Sequence, residues 1–242
     1  MMHRPYLTAV RLLAIAWITP YLCRSLEAIP IRVLAWDSDI AARRLAFGDS
    51  KGSTVIEEMH PSKRTKAYQV GGGEKPLVIE ALDRKDPAGK PCTSEVSVPE
   101  GVTQPLLVIL PDPKATTGVR LFVLEDNTSN FAWGSSRLIN ATGKAMVMVC
   151  EKKIVALPAA WVPVDCAPGG ATRNMEVQLF FHDQPERAFY SAIWEHSTDQ
   201  RMLVFLIPGA DARLGPVAMK AIPEDRRQIA AAQEAAAKAT RR

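Results

Sequence analysis

Short apolar, β-branched segments recur along this chain between residues that favour turns, the period-two pattern of an all-β protein. In the first half the pattern predicts strands at Ile31–Trp36, Arg43–Phe47, Thr54–Glu58, Lys66–Val70, Leu77–Leu82, Glu95–Val98, Leu106–Leu110 and Val119–Leu124. In the second half it predicts strands at Arg137–Asn140, Met146–Cys150, Ile154–Leu157, Val162–Cys166, Glu176–Phe181, Ala188–Trp194, Met202–Ile207 and Val217–Ile222. Each half thus carries eight expected strands in the same order. Turn residues recur with them. Gly118 follows Pro111, and Gly215 follows Pro208, by the same interval of seven residues. Acidic pairs close both halves, Glu125-Asp126 and Glu224-Asp225. Recurrence at matched spacing points to a duplicated unit, and units of this size read as sandwiches burying alternate residues between two sheets. The expected organisation is residues 1–28 a signal peptide, 29–126 a first β-sandwich, 127–134 a linker, 135–225 a second β-sandwich and 226–242 an Ala-rich helical tail. Phe131 and Trp133 of the linker are expected to wedge into the joint.

The two ends depart from this pattern. His3, Arg4 and Arg11 precede an apolar run from Leu12 to Leu22, too short for a comfortable membrane span and matching the apolar region of a secretory signal. Cleavage after Ala28 or after Ser25, or retention as an anchor, are the alternatives. Cys23 follows Leu22, where a lipidated cysteine normally follows a small residue. At the other end, the run Ile229 to Ala239 is rich in alanine, and Glu234 stands four residues before Lys238, an arrangement that favours a helix. With almost no large apolar face, that helix is expected to be exposed.

Charge narrows the range of partners. The net charge of +4 resides in the two ends, and the body between them is neutral. Phosphate contacts need a basic face, so nucleic acid is not an expected partner. No stable membrane span is expected once the signal is removed.

Candidate chemistry is sparse. His60, His182 and His196 form no H-x-x-x-H or H-E-x-x-H spacing, so no metal site is expected. Gly71-Gly72-Gly73 lacks the G-K-S/T of a phosphate loop, no Ser stands in a G-x-S-x-G elbow, and no cofactor is expected. Trp194-Glu195-His196, with Asp199 beyond, is the nearest thing to an acid–base cluster, set against an ordinary polar turn after a strand. Cys150 and Cys166 are a candidate disulfide pair, the alternative being free thiols with Cys92. Trp133, Trp161 and Trp194 are candidates for a glycan-stacking face.

Arg137-Leu138-Ile139-Asn140-Ala141-Thr142 resembles the V-R-x-x-N-A opening of tandem immunoglobulin-like modules in exported bacterial proteins. Ala35-Trp36-Asp37 and Trp194–Asp199 are similar to the A-W-D and W-x-H-x-x-D segments of uncharacterised secreted proteins of Gram-negative bacteria. The resemblance implies export and an immunoglobulin-like β fold, and it brings no activity or site residues. The expected function is a non-enzymatic binding or scaffolding role toward a protein or glycan of the cell envelope, periplasmic or secreted. The rivals are a carbohydrate-binding accessory protein and an exported enzyme with an interdomain site.

Overall fold

A computed structural model describes residues 28–49, 52–71, 76–211 and 213–240. The signal segment expected over 1–28 lies, apart from Ala28, outside the described residues. Among the described residues the chain forms sixteen strands and two helices. The first half contains β1 (Ile29–Ala35), α1 (Ser38–Ala41), β2 (Leu45–Asp49), β3 (Gly52–Val55), β4 (Tyr68–Val70), β5 (Leu77–Lys85), β6 (Pro91–Val96), β7 (Pro105–Pro111) and β8 (Val119–Glu125). The second contains β9 (Ser136–Asn140), β10 (Met146–Cys150), β11 (Lys153–Leu157), β12 (Pro163–Cys166), β13 (Arg173–Phe181), β14 (Ala188–His196), β15 (Gln200–Pro208) and β16 (Val217–Asp225), followed by α2 (Arg226–Thr240).

The strands make four sheets of four, in the orders β3-β2-β5-β6, β4-β1-β7-β8, β12-β9-β15-β16 and β11-β10-β13-β14. Adding eight to each strand number of the first half reproduces the sheets of the second. The parallel pair β1–β7 recurs as β9–β15 amid otherwise antiparallel ladders. The seven-residue interval marks the same hairpin in both halves. Asp112 N donates to Gly118 O and Gly209 N to Pro216 O, each at 3.0 Å. Gly118 at φ +74° and Gly215 at φ +108° adopt left-handed backbone that disfavours a side chain. The strand order differs from that of an immunoglobulin constant-type sandwich, whose first strand lies beside its second. Here β1 sits between β4 and β7 and β9 between β12 and β15. The expected immunoglobulin-like connectivity is corrected accordingly: with β4 on one edge of β1 and β7 on the other, no edge is left for β2.

The four sheets stack as layers around three cores. Ile31 and Val33 of β1 and Leu107 and Ile109 of β7 meet Leu45, Phe47 and Ile79 of the outer sheet. Leu138, Val204 and Leu206 meet Met146, Met148, Val177 and Leu179 in the mirrored core. The third core lies between the halves: Leu34, Leu106, Val108, Leu110 and Leu124 pack against Ile139, Leu203, Phe205 and Ile222. Successive strand residues point to opposite faces, so β7 and β15 feed two cores each. This accounts for their nearly unbroken apolar sequences.

Phe131 of the intervening segment is buried in the joint core. Trp161, at a left-handed φ of +57°, wedges beside it. Its ring lies 5.3 Å from Phe122 and 6.2 Å from both Trp36 and Phe205. Asp37, next to Trp36, caps α1 by accepting from Ile40 N at 2.8 Å. The Ala-rich α2 is exposed along nearly its whole length, with only Ile229 half-buried among its described side chains. It is anchored at its start, where Arg226 pairs with Asp199 and Asp225 accepts from Arg227 N at 2.8 Å.

Candidate functional site

Two features stand out against this frame: an ionic cluster at the joint and an open groove at one edge of the second half.

The cluster gathers three guanidinium groups around two carboxylates. Arg201 of β15 is the most enclosed, its side chain 1% exposed, with Asp126 at 3% and Arg64 at 2%. Arg201 Nε donates to Glu224 Oε2 at 2.7 Å, and Nη1 donates to the carbonyls of Asp126 at 2.8 Å and Phe131 at 3.2 Å. Its guanidinium also lies 4.9 Å from the Phe131 ring centroid and 5.1 Å from that of Trp133. Arg32 bridges Asp126 and Glu224, and Arg64 donates to both oxygens of Asp126 at 2.9 and 3.1 Å. Asp126 and Glu224 hold the same place in their halves: each lies two residues past the ladder partner of a joint-core leucine, Leu124 opposite Leu106 and Ile222 opposite Leu203. Burial pushes the Arg201 guanidinium down from its usual value, while Asp126 and Glu224 push it back up. Arg64 Nη1 is buried without a hydrogen-bond acceptor, 3.8 Å from Glu224. The cluster is enclosed and tied to backbone carbonyls of the intervening segment, which makes it a lock between the halves. Lys220 adds a further tie, donating to Pro61 O at 2.6 Å.

The tryptophans singled out in the sequence do not form one surface. Trp161 belongs to the joint, and Trp133 lies against Arg201. Trp194 alone faces a cavity, on the inner side of β14. Glu195 and His196 are adjacent in the strand and are sent to opposite faces: Glu195 is exposed, whereas His196 is buried with Nε2 3.4 Å from Gly170 O. Both nevertheless border one small cavity, together with Trp194. This cavity of about 20 Å³, lined also by Ser135, Gln200 and Arg201, has room for a water molecule at most.

Cys150 and Cys166 are free thiols, as is Cys92, and all three are buried. Cys150 of β10 and Cys166 of β12 belong to the same core although their strands lie in different sheets. Burial, reinforced by the neighbouring Cys150, pushes the Cys166 thiol up to about 12.

The groove lies between β14 and β16, the edges of the two sheets of the second half. Its volume is about 360 Å³, and it is lined by Tyr190 and Trp194 of β14, Met202 and Val204 of β15, and Met219 and Ala221 of β16, with Glu195 and Gln200 at one end. Trp194 Nε1 donates to Tyr190 Oη at 2.8 Å, which fixes the two rings at 67° to each other. The equivalent edges of the first half are closed over the matching stretch, with a cavity of about 410 Å³ beyond it at the Pro91 end of β6. Where they are closed, β6 lies against β8, with Ser94 Oγ 2.6 Å from Thr117 Oγ1, and Val96 and Val98 pack on the core with Leu121 and Val123. The connections explain the difference. Eight residues, 97–104, join β6 to β7 and include Val98, which packs on the core, whereas only Ser197, Thr198 and Asp199 join β14 to β15.

No protein family model matches the chain, and no curated protein shows a significant match. The groove therefore has to be interpreted from its own chemistry: an apolar wall with an aromatic pair, two flexible thioethers that can repack around a guest, and polar groups confined to one end. Sequence reasoning found Trp194 and Glu195 but assigned them to a surface or an acid–base cluster. It missed Tyr190, Met202 and Met219, whose signal was the concentration of methionine and aromatic residues on the inner faces of the last three strands.

Proposed function

We propose that this protein is an exported, non-enzymatic binding module of the bacterial cell envelope that takes its ligand in the groove between β14 and β16. On this reading its body is a duplicated pair of sandwiches, in which the first copy has closed its seam and the second has kept it open. The matched strand order supports the duplication, and the basic, then apolar, N-terminus supports export. The observation that carries the binding role is the groove itself: a largely apolar concavity with a few polar groups at one end, the usual composition of a ligand site. A stacking platform for sugars is less well supported, because only Trp194 of the candidate tryptophans opens onto it.

The test uses the mature chain from Ile29 and Nile red as an apolar probe. Ala221→Trp, which fills the groove from an exposed position, is expected to weaken dye binding at least tenfold. Ile154→Ser, on the far edge strand β11, is expected to leave it unchanged. The opposite pattern would remove the groove as the site. N-terminal sequencing of protein from the envelope fraction tests export, and an intact Met1 on cytoplasmic protein would count against it.

Export also sets an expectation for the thiols. In an oxidising compartment Cys150 and Cys166, neighbours in one core, are expected to pair as they fold, leaving only Cys92 to react with a thiol reagent after denaturation. Three reactive thiols in denatured envelope protein would exclude the bridge. Protein kept reduced is expected to lose stability as pH rises from about 9 toward about 12. The buried Cys166 thiol holds its proton more tightly in the fold than in the open chain, so its contribution is complete below its ordinary value and is lost through the raised one.

A further inference from the structure

Resting on the groove as the ligand site, we infer that its occupant is an extended peptide that adds to β14 as a fifth strand of its sheet, inserts branched aliphatic side chains between Trp194 and Met219, and carries a basic residue toward Glu195. Three observations lead to this ligand class.

The first is the condition of the edge. An exposed strand edge presents unpaired N–H and C=O groups and is usually guarded by brevity, proline or a cationic side chain. Of the eight edge strands among the described residues, β14 is the longest without Pro, Lys or Arg: its nine residues are Ala-Phe-Tyr-Ser-Ala-Ile-Trp-Glu-His. The equally long β16 carries Lys220 and Pro223, β8 carries Arg120, β6 carries Pro91, and β3 and β4 are only four and three residues long. Ile193 on β14 is 64% exposed. With β13 on one side only, alternate backbone groups of β14 point to the open side.

The second observation is an internal precedent. In the first half Val96 and Val98, in register with Ala192 and Trp194 of the second, pack on the core with Leu121 and Val123. In the second half the same face of β14 lines the groove, and only a three-residue turn follows the strand. The closed version of this seam is thus packed with branched aliphatic side chains. The third observation is charge. Glu195 is the only ionised side chain on the groove, it is exposed, and no cation pairs with it among the described residues. Strand addition draws affinity from main-chain hydrogen bonds and specificity from pockets for alternate side chains. The groove provides the pockets on the inner side, while Glu195 selects at the end.

The experiment titrates the mature chain with three synthetic octapeptides by calorimetry. One alternates Val and Lys, one alternates Val and Glu, and the third is the Val/Lys peptide N-methylated on the amides that would face β14. The expected results are binding of the Val/Lys peptide, at least tenfold weaker binding of each of the other two, and at least tenfold weaker binding of the Val/Lys peptide to Ala221→Trp. Slowed hydrogen exchange at amides of residues 188–196 is expected on binding. Equal affinity for the N-methylated peptide overturns strand addition while the groove remains a binding site, and equal affinity for the Val/Glu peptide overturns the basic residue. No peptide binding in a protein whose Nile red site still responds to Ala221→Trp overturns the peptide inference alone. A Nile red site indifferent to Ala221→Trp removes the groove reading beneath it. A concentration-dependent dimer abolished by Ile193→Lys would place a second copy on this edge and overturn the inference as well.

Discussion

Replacing Arg201 with methionine is expected to lower the melting temperature by roughly 6–12 °C, from a loss of about 3 kcal/mol at 2–4 °C per kcal/mol for a chain of this size. The side chain is 1% exposed and satisfies two backbone carbonyls and Glu224 at once. Methionine keeps most of the volume and the contact with Phe131 but leaves those carbonyls without a donor and Glu224 with less compensation. The direction follows from removing one partner only. Exchanging a whole buried ionic set for apolar residues is often neutral, whereas stranding the remainder is costly. Arg32 and Arg64 still face both carboxylates, which keeps the loss near the lower end of the range. Arg201→Lys should recover less than half of it, because one ammonium cannot reproduce a planar fork that reaches a carboxylate and two carbonyls in different directions. Arg213→Met, at a pair where the arginine is 89% exposed, should change nothing measurable. Thermal unfolding followed by circular dichroism distinguishes the three variants. A fall of less than about 2 °C for Arg201→Met would mean that the cluster does not hold the halves together.

The strands were legible because alternation is written into the residues that make them. Every expected strand has a counterpart, and the Pro-to-Gly intervals did mark equivalent hairpins, since a left-handed residue in a turn is a backbone requirement that neighbouring side chains cannot mask. The joint core was less legible. Leu106–Leu110 and Met202–Ile207 are continuous apolar runs, and such runs signal burial on both faces. Their message was a third layer of contacts, with the halves fused more closely than a linker between two sandwiches suggests. The ionic cluster was hidden for another reason. Arg32, Arg64, Asp126, Arg201 and Glu224 lie as far as 192 residues apart in sequence, and no local pattern distinguishes a buried arginine from a solvated one. The acidic residues closing each half were visible as a repeat, but not as a lock.

The groove was lost through strand boundaries. Expected ends at Val98 and Trp194 gave both halves equal connections to the next strand, seven residues each. In the structure β6 stops at Val96 and β7 begins at Pro105, while β14 continues to His196 and β15 begins at Gln200. Val98 was assigned to a ladder when it is instead a free side chain seated on the core. The aliphatic–polar alternation of Glu95-Val96-Ser97-Val98 is the same whether or not the ladder continues, and the proline that follows marks an end only to within a few residues. A difference of one or two residues at each boundary thus concealed a place where the halves diverge in architecture.

The joint core supports a second large prediction. Phe205→Ala is expected to cost about 3–5 kcal/mol and to lower the melting temperature by roughly 6–20 °C. Phe205 is fully buried, its ring 5.2 Å from Trp36 of the first half in an edge-to-face arrangement at 77°, and 6.2 Å from Trp161. Truncation opens a cavity that neither indole can fill, because Trp36 is held on the strand-to-helix turn before α1 and Trp161 by its left-handed backbone. The form of the transition matters as much as its midpoint. The side chain belongs to β15, yet it shares the joint core with Leu34 of β1 and Leu106, Val108 and Leu110 of β7, so both halves should unfold at the lowered temperature in one calorimetric transition. Met148→Ala, in the core of the second half alone, is the comparison: it should cost about 2–5 kcal/mol without touching the joint. If the halves were independent sandwiches, Phe205→Ala would shift one transition and leave another in place, and protein from Ile29 to Asp126 would fold alone. The joint-core leucines argue against that outcome: Leu34, Leu106, Val108, Leu110 and Leu124 would all turn to water in the isolated first half, a contiguous apolar face that favours aggregation. A split calorimetric trace for Phe205→Ala, with the first half melting at its wild-type temperature, would show that the shared core does not couple them.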